Sequence, residues 1–317
     1  MTITDDTKYN AWPVICRLAT GDLLLAYTKA DSHHQDNTGK AVGRISADEG
    51  SSWGAEATIY DDASLFSTVY GISITPTGRV IAVLWRDNWN VANTGNAGVV
   101  YSDDDGGSWS SWYDLPSSFA QEEFGAGPAI TTGDGDLLLT VEGTVSGAIL
   151  NRSSHTLRST DNGSTWGSEV TVRDYATDTR PYYESKLVRM RDDSLRCIHR
   201  TAASSPGTHY VSTSSDNGLT WGTPASAFAG YGAPSTILHS GGGLIATTRR
   251  NSDDACIAYT STDGGATWSS AIVIDATMTQ SEYACPIELL DHTVLVVYGA
   301  QPSAATTNSD IKSVVLS

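Results

Sequence analysis

Eight residues of the form Ser-x-Asp-x-Gly-x-x-Trp occur five times in this chain and limit what it can fold into. The copies are Ser46/Asp48/Gly50/Trp53, Ser102/Asp104/Gly106/Trp109, Ser159/Asp161/Gly163/Trp166, Ser214/Asp216/Gly218/Trp221 and Ser261/Asp263/Gly265/Trp268. Each copy sits between two short apolar runs, which is the setting of a hairpin turn. An Asp carboxylate there can accept backbone N–H bonds within the loop, and Gly supplies the position with positive φ. The Trp covers the hairpin as a large apolar lid.

The box tryptophans at 53, 109, 166, 221 and 268 are 47 to 57 residues apart. A period near fifty with several short strands per repeat indicates a β-propeller, and 317 residues accommodate about six such repeats. The pattern resembles the Asp-box proteins, chiefly the sialidase superfamily. That resemblance implies an all-β, six-bladed propeller of four-stranded antiparallel blades filling residues 1–317 as one domain. Strands A to D of each blade run from the axis outward. Strand A is expected at Ala129–Thr131 in blade 3, Lys186–Arg191 in blade 4 and Ala284–Leu290 in blade 6. Blade 6 has no box and the chain ends where its outer strand should begin. The β-branched run Thr2-Ile3-Thr4 is expected to supply that strand and close the ring, removing two open sheet edges.

Composition narrows the function. A formal charge of −17, due partly to the box aspartates, argues against nucleic acid as a partner. Cys16, Cys197, Cys256 and Cys285 lie in apolar runs without a CxxC spacing, so buried free thiols are expected. No run reaches the length of a membrane span, and the opening residues have neither a basic nor an apolar signal region. The expectation is a protein that is cytoplasmic when made, or that reaches the outside by lysis with a virion.

In an A-B-C-D meander the box turns lie on one face, and the D–A entries and B–C loops lie on the other. The second mouth, where loops from several blades converge, is the expected site. It gathers Tyr9, Trp12, Asp31, His33, His34 and Asp36 from blade 1, and Tyr70 and Arg86 from blade 2. Blade 3 adds Glu122, Glu123 and Glu142, and blade 4 adds Tyr183, Glu184 and Arg200. Blades 5 and 6 contribute Arg249, Arg250, Glu282 and Tyr283. Aromatic rings stack on sugar faces and arginines clamp carboxylates, a combination suited to an acidic sugar.

The stretch Tyr183-Glu184-Ser185-Lys186, with Arg200 ending the next strand, resembles the sialidase glutamate strand and its substrate arginine. Arg249 or Arg250 resembles the next arginine; strand alternation turns one inward and one outward. Tyr283 stands where sialidases place a nucleophilic tyrosine. Exo-sialidases have an arginine before an Ile-Pro in blade 1, whereas here the sequence is Asn10-Ala11-Trp12-Pro13. The set Tyr9, Trp12 and His34 instead resembles the bacteriophage endosialidases, which cleave within polysialic acid and carry further domains, including a trimerising stalk.

The resemblance implies a glycosidase acting on an acidic, sialic-acid-containing oligo- or polysaccharide, with no cofactor and no metal. Glu184 is expected as base, Arg200 and Arg249 as carboxylate clamp, and His34 or Asp36 as the acid. Tyr9, Trp12, His33, Arg86, Arg250 and Tyr183 are expected to bind substrate, and a homo-oligomer is possible. An exo-sialidase, a uronate lyase using His and Tyr, and a non-catalytic glycan-binding propeller are the alternatives.

Overall fold

The computed structural model describes residues 1–316 except 34–36, 92–93, 126, 145–150, 202–205, 279 and 302–307. For 121–125 and 281–282 it describes the backbone alone. Six antiparallel sheets follow one another along the chain, each a simple meander with its first strand innermost. Innermost strands of neighbouring blades pack side by side around the axis, as Tyr9–Arg17 does with Phe66–Ile74 and Gln280–Glu288.

The second strands read as nearly unbroken apolar runs because both their faces are buried. In Val80–Asp87, Val80, Ala82 and Leu84 pack toward blade 1 with Leu24, Ala26 and Val69. Ile81 and Val83, half a pleat away, pack toward blade 3 with Leu137, Leu139 and Val141. The same two-sided arrangement recurs where blade 6 meets blade 1, with Leu295 and Val297 against Leu23, Leu25 and Tyr27. Cys16, Cys197 and Cys256 are buried and Cys285 is half-buried, and none of the four is in a disulfide.

All five boxes have the same hydrogen-bond pattern. In the first, Ser46 Oγ donates to Asp48 Oδ1 at 2.8 Å and accepts from Gly50 N–H at 2.8 Å. Ser52 donates to the same carboxylate through its N–H at 2.8 Å and its hydroxyl at 2.6 Å. The hydroxyl before the Trp is part of every box, as Ser52, Ser108, Thr165, Thr220 or Thr267. These bonds hold the carboxylates below their ordinary range, Asp104 and Asp263 to about 2, through the Ser108 and Thr267 hydroxyls first of all.

The boxes also join blades. A Cβ on Gly163, whose φ is 79°, would lie 2.2 Å from Ile81 Cδ1 of the preceding blade. Arg79 Nη1 reaches forward to Asn162 O at 3.3 Å and Ser164 Oγ at 2.8 Å, and Arg196 Nε reaches Gly264 O at 2.8 Å.

The ring closes through the N-terminus. Thr2 bridges Lys312 in antiparallel fashion, Ile3 N–H donates to Ile311 O at 2.7 Å, and Ser313 N–H donates to Met1 O at 2.8 Å. The contact is a bridge rather than a full strand. Other boundaries differ from expectation. The inner strand of blade 3 is in two pieces, Gln121–Gly125 and Ile130–Thr131, both paired with Leu137–Thr144. Pro128 lies between them and has no N–H to give the ladder. In blades 4 and 6 the inner strands are Tyr183–Arg189 and Gln280–Glu288, starting earlier than the apolar pattern indicates. A single helical turn at Tyr175–Asp178 was not expected.

Two predictions follow from the boxes. A carboxylate whose folded pKa is depressed adds stability above its unfolded value, about 3.9, and loses it as pH falls through the folded value. The melting temperature should therefore drop steeply between about pH 4 and 2, and Asp263→Ala should lower it at pH 7 and flatten the acid decline. Gly135 has φ of 93° and no atom within 4 Å of a would-be Cβ, so it isolates the backbone term. Gly135→Ala should cost about 1–2 kcal/mol, and Gly163→Ala a further ~1–3 kcal/mol from crowding Ile81, both read by chemical denaturation.

Candidate active site

The inner strands do not run straight to the mouth. Their registers slip between Ala11 and Val14, Val69 and Gly71, Tyr183 and Lys186, Tyr231 and Ser235, and Glu282 and Ala284. Such bulges bend a strand and re-aim its side chains. Trp12, Glu184 and Tyr283 sit in them with φ of 54°, 45° and 62°. Left-handed backbone is unfavourable for residues of this size, and such strain clusters at functional sites.

Two of these bulges bring Glu184 and Tyr283 together, although they are 99 residues apart in sequence. The Tyr283 hydroxyl donates to Glu184 Oε1. Arg200 Nη1 donates to Glu184 Oε2 at 2.6 Å and to the Tyr283 oxygen at 3.1 Å. The Glu184 and Arg200 side chains are each 16% exposed. Burial alone would raise the Glu184 carboxyl, but the Arg200 charge and the Tyr283 hydroxyl outweigh it and hold it below its ordinary value. Burial and the Glu184 charge push the Tyr283 phenol well above its ordinary value. The pair is therefore an ionised carboxylate bonded to a neutral phenol.

Arg249 completes the cluster. Its guanidinium lies 5.0 Å from the Tyr231 ring and 5.9 Å from the Tyr283 ring. Its buried Nε has no hydrogen-bond partner, and no carboxylate lies within ion-pair distance, among the described residues. Arg200 has Glu184 as counter-charge; Arg249 has none there. Tyr183 is 9% exposed and has two guanidiniums near it, Arg152 at 5.6 Å and Arg200 at 5.7 Å from its ring centroid.

Three further groups around this cluster, Glu142 and Lys186 buried and Arg152 half-buried, have roles that composition and pattern did not indicate. Glu142 accepts from the backbone N–H groups of both Glu184 and Ser185. Burial first, then the Glu184 charge, raises its carboxyl to about 7. Lys186 lines an axial cavity of about 40 Å³ with Trp12, Tyr70, Pro128, Pro234 and Tyr283, and donates to Tyr70 O at 2.7 Å. Burial lowers its ammonium to about 8. Arg152 enters from the segment preceding Ser153–Ser159. A charged residue in an apolar run was the available signal for Glu142 and Lys186.

Other expected site residues are placed differently. Arg86 points outward, its Nη1 3.7 Å from Asp62, its Nη2 3.3 Å from Asp114 and its Cζ 4.3 Å from the Trp112 ring. Alternation turns it away from the mouth, so it is not part of this cluster. Arg250 likewise turns outward and pairs with Asp253 at 2.5 Å, leaving Arg249 as the inward member. Tyr9 and Trp12 do meet His33, at 5.1 and 5.7 Å between ring centroids. However, Tyr9 is 2% and Trp12 3% exposed, packed with Ala11, Ala30 and Phe66. In this structure they back the exposed His33 and offer no open face for a sugar. His34 and Asp36, and the side chains of Glu122, Glu123 and Glu282, lie outside the described residues.

The BNR repeat-like domain family matches residues 69–230, just over half of the chain. A sialidase from Paraclostridium sordellii is 27% identical over 246 residues, a match covering 69% of this chain and 58% of that protein. The chain thus spans little more than half the length of that relative. Among solved structures, a protein of unknown function from Dyadobacter fermentans superimposes with a TM-score of 0.87 at 17% identity, covering 99% of this chain and 96% of that one. The NanB sialidase from Streptococcus pneumoniae gives a TM-score of 0.77 at 14% identity, covering 100% of this chain and 70% of that one. At these identities the superpositions speak for the fold, whereas the repeat match speaks for ancestry: the chain belongs to the BNR repeat-like domain family, within the sialidase superfamily.

Proposed function

We propose that this protein is a glycoside hydrolase of the sialidase type, acting on an acidic, sialic-acid-containing glycan by way of a tyrosine nucleophile. The supporting observation is the Glu184–Tyr283 pair held by Arg200, with Arg249 beside it lacking a counter-charge among the described residues. A sugar carboxylate supplies that charge and accepts bidentate bonds from a guanidinium.

The phenol is too weak an acid to ionise by itself, so its proton passes to Glu184 as the Tyr283 oxygen attacks the anomeric carbon. The glycosidic bond breaks, and its oxygen takes a proton from an acid; His34 and Asp36 are the candidates. Water then displaces Tyr283 from the anomeric carbon, giving its proton to the conjugate base of that acid and so restoring it, and the proton on Glu184 returns to the phenol. Two displacements retain the anomeric configuration. Arg200 and Arg249 hold the substrate carboxylate throughout, offsetting charge in the oxocarbenium-like transition state.

We favour cleavage within a polymer, as in the bacteriophage endosialidases. The arginine that exo-sialidases have before Ile-Pro is replaced here by Ala11 before Trp12-Pro13, and His33 is exposed beside Trp12 to meet a neighbouring sugar. The protein should release new reducing ends from polysialic acid and none from a terminal sialoside. Release from the terminal sialoside would give the exo reading instead. Ultraviolet absorbance from a uronate polymer would mean a lyase, and no turnover of any of the three would favour a binding propeller.

Glu184→Gln should lower kcat by about 10²–10⁴-fold, as loss of a general base does. Full turnover by that variant would end the assignment. Arg249→Ala should lower kcat/KM for a sialylated polymer by roughly 10- to 100-fold, the worth of hydrogen bonds to a charged group. It should leave the melting temperature near that of the wild type, because Arg249 has no ion-pair partner to strand among the described residues.

A further inference from the structure

Glu142 is a charge in the wrong place for a core residue. It lies on Leu137–Thr144, flanked by Val141 and Gly143, and is fully buried. Burying a carboxylate is costly unless its bonds are made. Among the described residues its bonds are made to one feature only: Oε2 accepts from Glu184 N–H and Oε1 from Ser185 N–H. These are the two residues that the register slip of blade 4 lifts out of the ladder, so they have no strand partner there. The carboxylate of one blade thus takes the place of the missing ladder for the bulge of the next.

The other side of the bulge is held as well. Ser185 Oγ is 2.8 Å from His199 Nδ1, and His199 Nε2 is 2.9 Å from Ser212 Oγ, all fully buried. Thr140, two residues before Glu142 on the same strand, donates its hydroxyl to Ser185 O at 2.6 Å. Glu184 alone carries the φ of 45° on which its side-chain direction depends.

We propose that Glu142 is a positioning residue that holds the Glu184–Ser185 bulge in its left-handed form and so aims the Glu184 carboxylate at Tyr283. It touches no substrate. Its effect is exerted through the backbone, by giving two parallel N–H groups a bidentate acceptor that a neutral amide cannot match: Gln offers one oxygen and turns an NH₂ toward the other donor. This role rests on the hydrolase reading for its catalytic consequence, but the backbone clamp itself does not.

The test uses Glu142→Gln and the shorter carboxylate Glu142→Asp in the full chain, with two readouts. The first is hydrogen exchange at the Glu184 and Ser185 amides, followed by mass spectrometry. Loss of a buried acceptor should speed exchange in Glu142→Gln by about 10- to 100-fold, while amides in the inner strand of blade 1 keep their protection. The second is kinetic. Misdirecting Glu184 should lower kcat by about 10- to 100-fold with KM changed less than about threefold, and Glu142→Asp should recover part of the loss.

Unchanged protection of the two amides in Glu142→Gln would overturn the proposal whatever the activity. Equal kcat loss in the Asp and Gln variants, with exchange accelerated throughout the ring, would also overturn it, since a general packing defect behaves that way. Accelerated exchange confined to the bulge, in a protein that turns over no substrate even as wild type, would uphold the clamp and remove the hydrolase reading.

Discussion

The bonds of the box carboxylates organise this molecule. Each Asp fixes the turn between the third and fourth strands of a blade, taking one hydroxyl from before and an N–H and a hydroxyl from after. At Gly50, Gly163 and Gly218 the glycine behind it lets the turn press against the second strand of the preceding blade, where a methyl group would collide with Leu295, Ile81 or Leu138. The turn therefore fixes a hairpin and docks a blade in one step. Repeated along the chain, it builds a ring in which each blade buries its apolar faces only against its neighbours. The boxless sixth blade has to be secured by other means, and the N-terminal residues do so through Ile311 and Ser313.

A ring held at its rim can support strain at its centre. Trp12, Glu184 and Tyr283 have left-handed backbones, each costing roughly 1–2 kcal/mol for a non-glycine residue. Burying a single Leu or Val between blades contributes about as much, and each blade junction buries several. The fold offsets the strain and gains side chains aimed inward from strands that would otherwise point them at neighbouring blades. The result is a hydrogen-bonded carboxylate, phenol and arginine from blades 4 and 6, with a second arginine from blade 5 beside the phenol ring, within a shell of buried polar groups.

Legibility in the sequence follows from the range of the physics. The boxes are local, with every bond closing within eight residues, and so the fold and the blade order could be read directly. Glu184, Arg200 and Tyr283 were legible through resemblance, because each occupies a fixed place in its blade. Arg249 and Arg250 could not be separated until the pairing of Arg249 with Cys256 and Tyr231 fixed which faces inward. The bulges were invisible, since a register slip leaves no trace in an apolar pattern, and with them the true starts of the inner strands in blades 4 and 6. Glu142 was visible as a polar residue near the mouth, but its bonds to the backbone of another blade were not. Tyr9 and Trp12 read as a sugar platform because aromatic rings suit one, yet their burial depends on Phe66, which comes from a different blade.

In the proposed mechanism Tyr283 forms the covalent bond to the sugar, with Glu184 taking its proton. The direct measurement is the mass of the protein during turnover of a slowly hydrolysed fluorinated sialoside, followed by peptide mapping. This mechanism requires a transient adduct of one sugar on the peptide containing Tyr283, absent in Tyr283→Phe. An adduct on Glu184, or hydrolysis by Tyr283→Phe at the wild-type rate, would contradict it.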